Sequence, residues 1–149
     1  MRLSVAWTLA LLALLFGMAR PAPAQARRWE RQAREQLAHA VQGLREKGFE
    51  RPRLTRVSAL DNEESEASAV TLNAGRGYAV VGVCDADCSG LHLVVSTAAG
   101  SDIAADRSGG GVPLVRITPR ETGSYRVKAV MAACRMSPCW YGVAVVEER

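Results

Sequence analysis

Residues 78–95 read Tyr-Ala-Val-Val-Gly-Val-Cys-Asp-Ala-Asp-Cys-Ser-Gly-Leu-His-Leu-Val-Val. Two runs rich in β-branched and aromatic residues flank a short segment of Asp, Ser and Gly, so strand, tight connection and strand follow in eighteen residues. In the first run Tyr78, Val80, Gly82 and Cys84 share one face and Ala79, Val81 and Val83 the other. In the second, Leu91, Leu93 and Val95 alternate with His92, Val94 and Ser96. The same period of two returns at Tyr125–Ala133 and again from Trp140 to Val146, and an earlier strand is expected at Leu54–Leu60. Gly75-Arg-Gly77, Ala99–Asp102, Ser108–Gly111 and Glu121–Ser124 supply turn chemistry between the strands. Seven or eight short strands without intervening helices predict a mainly β chain folded as an antiparallel, jelly-roll-like β-sandwich.

Upstream the period changes. Trp29, Ala33, Leu37, Val41 and Leu44 recur at steps of four and three among Arg, Glu and Gln, which predicts one amphipathic helix ahead of the strands. Gly48 and Pro52 stop it. Further upstream, Arg2 precedes an apolar run from Leu3 to Met18 and then a Pro/Ala-rich stretch, the pattern of a secretory signal peptide. Cleavage is expected after Ala24 or Ala26; the run is short for a membrane span, which needs about 20 apolar residues. The expected organisation is a signal peptide over 1–26, the helix over 27–52 and the β-sandwich over 53–149, with a periplasmic or secreted destination and no stable span after cleavage.

The chain carries 19 Lys and Arg against 15 Asp and Glu, but Arg2 and Arg20 belong to the leader, so the mature excess is small. Nucleic-acid binding thereby loses its electrostatic argument. The remaining charge is uneven: Arg27–Arg56 holds nine basic and four acidic residues, Val57–Arg149 eight and eleven. That asymmetry suggests two structural units.

Four cysteines stand in two close pairs, Cys84 with Cys88 and Cys134 with Cys139. In an exported protein an even set reads as disulfides before it reads as zinc, and no Cys-x-x-Cys is present for redox work. Three connectivities are possible; the local pairs are favoured because Cys-Asp-Ala-Asp-Cys and Cys-Arg-Met-Ser-Pro-Cys turn easily. Calcium is the cofactor to test. Asp85-Ala-Asp-Cys-Ser-Gly90 repeats the first half of an EF-hand loop, although Ser96 stands where the closing glutamate belongs, and Asp102 or Asp106 could complete a different oxygen cage with Asp85 and Asp87. Catalytic templates fail: His39 and His92 are the sole histidines, and no Gly-x-Ser-x-Gly elbow or phosphate loop exists. Trp140 and Tyr141, beside the second cysteine pair, are the candidate contact patch.

Gly75–Cys88, Leu91–Val95, Ile103–Asp106, Val115–Pro119, Thr122–Val127 and Cys139–Val143 together resemble the pre-peptidase C-terminal domain of exported bacterial proteins, over roughly Ala69 to Val146. The resemblance implies a small β-sandwich and export, and for some relatives calcium or an extracellular polymer. Where such modules run Asp-Leu-Asp-Leu this chain has Gly90-Leu-His-Leu93, which removes two carboxylates. The expected function is therefore a non-catalytic binding or structural module stapled by disulfides, for an unknown protein or extracellular polymer. A calcium-dependent binding module is the alternative, and a small secreted hydrolase comes third.

Overall fold

The computed structural model describes residues 23–149; most of the expected signal peptide lies outside them. Helix α1 (Pro23–Arg45) is followed by eight strands: β1 (Phe49–Leu60), β2 (Ser65–Leu72), β3 (Tyr78–Cys84), β4 (Cys88–Thr97), β5 (Asp102–Asp106), β6 (Leu114–Ile117), β7 (Gly123–Cys134) and β8 (Cys139–Glu148). They form two antiparallel four-stranded sheets, ordered β1-β8-β3-β6 and β2-β7-β4-β5. Pairing of first with last, second with seventh, third with sixth and fourth with fifth is the wrapped order of a jelly roll. The helix turns into β1 at Gly48, whose φ of 90° is open to a residue without a β-carbon and whose N–H donates to the Arg45 carbonyl at 3.0 Å. β1 therefore starts at Phe49, ahead of the expected Leu54. Pro52 is absorbed on the edge strand, between register shifts.

Every residue of β3 is buried, and so is nearly every residue of β8. On one face Tyr78, Val80, Val143 and Val145 meet Leu91, Leu93, Val95, Val127 and Met131 of the second sheet. On the other, Ala79, Val81, Val83, Ala144 and Val146 lie under Leu37, Leu44 and Phe49. The molecule thus has three layers, with the first sheet in the middle. That is why β3 and β8 read as continuous apolar runs and not as strict alternation. The helix approaches so closely that a β-carbon at Gly142 would stand 3.1 Å from Leu37 Cδ2. Ala33, Leu37 and Leu44 are buried as the helical stripe requires, whereas Trp29 is half-exposed and stacks under the Arg28 guanidinium at 5.1 Å.

Between the edge strands β1 and β2 the two sheets are closed by one ion pair and one hydrogen bond on a shared carboxylate. Tyr141 donates its hydroxyl to Glu66 Oε2 at 2.7 Å, and Arg56 pairs with the same carboxylate. Burial pushes Glu66 up, but the hydrogen bonds from Tyr141 and Arg56 outweigh it and hold the carboxyl below its usual range. The same burial, with the Glu66 charge alongside, pushes the Tyr141 phenol far up.

Two outcomes follow from these contacts. Leu37→Ala should lower the unfolding free energy by about 2–4 kcal/mol in urea titration, as for a core leucine; a loss under about 0.5 kcal/mol would make the helix an appendage. Because the folded Glu66 titrates below its ordinary 4.5, its contribution is complete above that value and is lost as pH falls through the folded value. Glu66→Gln should therefore lower stability at pH 7 and flatten the acid limb of a stability-against-pH curve; an unaltered acid limb would remove Glu66 from the account.

Candidate functional site

Both disulfides are the local ones: Cys84–Cys88 and Cys134–Cys139, each with Cα atoms 5.9 Å apart. Near in sequence, they cross the sandwich in space. Cys84 ends β3 in the first sheet and Cys88 opens β4 in the second; Cys134 ends β7 in the second sheet and Cys139 opens β8 in the first. Cys88 and Cys134 are register partners, so the two bridges stand side by side at one end of the molecule.

Asp85, 3% exposed, ties the two corners together. Its N–H donates to the Trp140 carbonyl at 2.9 Å, its Oδ2 accepts the Trp140 N–H at 2.7 Å, and its Oδ1 accepts the Asp87 N–H at 3.0 Å. Arg135 donates from its backbone to the Asp87 carbonyl at 2.9 Å and from Nη2 to the Ala86 carbonyl at 2.7 Å. The β1–β2 turn joins through Asn62, whose Oδ1 accepts the Cys134 N–H at 2.8 Å and whose N–H donates to Ser137 Oγ at 3.0 Å. Three loops become one hydrogen-bonded plate. Its tip is Met136, 65% exposed, with Ala86, Arg135 and Pro138 also exposed and Trp140 half-buried beside them. An open groove of about 440 Å³ runs from the first bridge between α1 and the loop before β6, lined in part by His39, Ala40, Val83 and the exposed Val112.

The sequence-derived candidates are not brought together as expected. Tyr141 is 1% exposed and belongs to the core, because alternation along β8 turns it inward with Cys139 and Val143; its ring is withdrawn from the contact patch and Trp140 alone remains at the surface. Met136, Arg135 and Asn62 were not singled out by the sequence; an apolar residue at the middle of a six-residue Cys-to-Cys loop was the available signal. The four aspartates are separated and each is engaged by donors. Asp87 faces Arg135 at 3.6 Å, Asp102 faces Arg107 at 3.1 Å, and Asp106 accepts Ser108 Oγ at 2.6 Å together with the Ser108 and Leu114 N–H groups, which hold its carboxyl below the usual range. Among the described residues no three His, Cys, Asp or Glu lie close enough to share a metal ion. Asp106, Ser108 and His92 do not form a triad either: the serine bonds the carboxylate directly, where a nucleophile would have to bond an imidazole.

No family model and no curated protein matches the sequence. Among solved structures, the pre-peptidase C-terminal domain of a collagenase from Bacillus anthracis aligns with a TM-score of 0.50 at 10% identity, over 62% of this chain and 88% of that one. This chain has the fold of a pre-peptidase C-terminal domain. A periplasmic lysozyme inhibitor of g-type lysozyme from Aeromonas hydrophila aligns at a TM-score of 0.49 and 13% identity, over 68% of this chain and 90% of that one. At the β3–β4 corner the Asp85 carboxylate is taken up by backbone N–H groups and the Asp87 carboxylate faces Arg135. Among the described residues no helix is long and apolar enough to cross a membrane.

Asp85→Ala should leave the Asp87 and Trp140 N–H groups without partners and cost about 2–4 kcal/mol. Wild-type protein should melt at the same temperature in EDTA and in millimolar calcium, since a ligand of the native state must raise the midpoint. A calcium-dependent rise of several degrees would reinstate the aspartates as a metal site.

Proposed function

We propose that the protein is an exported, non-catalytic binding module that contacts an unknown protein or extracellular polymer through its disulfide-tied end. The observation that carries the reading is the cross-tying of three loops by two inter-sheet bridges and the Asp85 and Asn62 hydrogen bonds. Small rings of this kind constrain little chain entropy, so their main effect is on loop shape. A backbone immobilised beforehand lowers the ordering cost of association, and an exposed Met136 beside a half-buried Trp140 is the apolar-plus-aromatic character of a contact centre. Export is supported by the disulfides, which persist outside the reducing cytoplasm, and by the leader-like N-terminal sequence. The calcium-dependent alternative loses support because both oxygens of Asp85 already accept N–H donors, and the hydrolase because Ser108 bonds the Asp106 carboxylate directly and not an imidazole.

The test is affinity capture from the extracytoplasmic fraction of the source cells, with wild-type and Met136→Asp protein immobilised at equal density. The variant should melt within about 2 °C of wild type, since the side chain is exposed. A specific partner should be retained by wild type and weakened at least about tenfold by the substitution. Equal retention by both proteins would move the contact surface elsewhere.

A further inference from the structure

At the opposite end of the sandwich three guanidinium groups converge on one buried carboxylate. Glu147 is the last buried residue of β8, 4% exposed. Arg76, from the β2–β3 connection, donates Nε to Glu147 Oε1 at 2.9 Å and Nη2 to the Glu148 carbonyl at 3.2 Å. Arg51, the register partner of Glu147 on β1, stands at 3.7 Å, and Arg53, on the neighbouring register shift, at 3.8 Å. The last two distances exceed a hydrogen bond, and among the described residues the one other hydrogen bond of these two guanidinium groups is Arg53 Nη2 to the Thr71 carbonyl at 3.4 Å.

One negative charge therefore serves three positive ones. Among the described residues no second acidic side chain pairs with Arg51, Arg53 or Arg76: the nearby Glu50 is taken by Arg149, and Glu148 turns toward Gly77. An ion-pair seam built only for stability needs no such surplus, and like charges held together repel unless a further anion joins them. The side chains remain 63%, 35% and 40% exposed, so solvent-borne groups reach them. Glu147 fixes the guanidinium heads from below, and planar guanidinium forks match the oxygen edges of phosphate and sulfate.

We propose that Arg51, Arg53 and Arg76, organised by Glu147, form a binding site for a tetrahedral oxyanion, a phosphate or sulfate group. The site is independent of the disulfide end and of the reading given for it. Arg76 is committed to Glu147, so Arg51 and Arg53 supply most of the contact and Arg76 the field.

The test is titration of the oxidised mature chain with inorganic phosphate at constant ionic strength, read by amide and arginine Nε–H shifts in NMR. Saturable shifts should centre on residues 51, 53 and 76, and Arg51→Gln/Arg53→Gln should weaken binding at least about tenfold, whereas Arg120→Gln, outside the cluster, should leave it unchanged. Glu147→Gln gives an independent arm: removing the resident carboxylate should tighten phosphate binding if the protein stays folded by its NMR spectrum. Dextran sulfate identifies the source of the oxyanion, with tighter binding per sulfate group assigning it to a polymer and equal binding to the free ion. Absence of saturation, equal loss in Arg120→Gln, or unchanged binding in the double variant would overturn the proposal.

Discussion

The first sheet has to be covered on both faces, and the rest of the molecule is arranged around that requirement. Its two central strands, β3 and β8, alternate Tyr, Val and Cys toward the second sheet with Ala and Val toward the helix. Without α1, Val81, Val83 and Val146 would face water as one apolar patch on a flat sheet, the surface that soluble proteins avoid. Covering each large side chain is worth about 1.5–3 kcal/mol, and packing of this kind is what holds a helix that would be marginal alone in water. The small residues Ala79, Gly142 and Ala144 set the distance at which it can lie.

Position on the sandwich then sorts the polar residues. At one end two of the crossings between sheets run through corners of three and four residues, and each of these two corners is bridged by a disulfide. At the β1–β2 side the sheets are joined through half-buried Glu66, met by Arg56 and Tyr141, and at the end away from the disulfides buried Glu147 is met by arginines of β1 and of the β2–β3 connection. Edge strand β1 carries Pro52, register shifts and arginines, which together make it a poor template for strand addition by another chain. The basic excess of residues 27–56 thus has two destinations: the outer face of α1 and the seam under β1.

Much of this architecture is written in local pattern. Period two at Tyr125–Ala133 marks a strand with one wetter face, and the spacing of Ala33, Leu37 and Leu44 marks the buried helix stripe; along Leu91–Val95 the same period is present but Val94 on the other face is buried as well. An apolar stripe on a polar helix calls for docking on the domain; which sheet it covers was not legible, because the alternation of β3 and β8 does not by itself say what lies on their second face. The site was legible in part. The cysteines announce bridges, yet nothing in Cys-Asp-Ala-Asp-Cys distinguishes an aspartate that would hold a cation from one that accepts the N–H of Trp140, fifty-five residues away in sequence. Tyr141 and Trp140 are adjacent and both aromatic; only the strand register decides that the first ring goes inward. Glu147 likewise needs three distant arginines to be recognised as a centre.

The central functional claim is that the loops at the disulfide end are held in place before any partner arrives. Amide order parameters of residues 85–88 and 134–138 in the oxidised protein test it directly. Values near about 0.85, equal to those of β3 and β8, are predicted for a preformed surface; values below about 0.6 in those loops would contradict it.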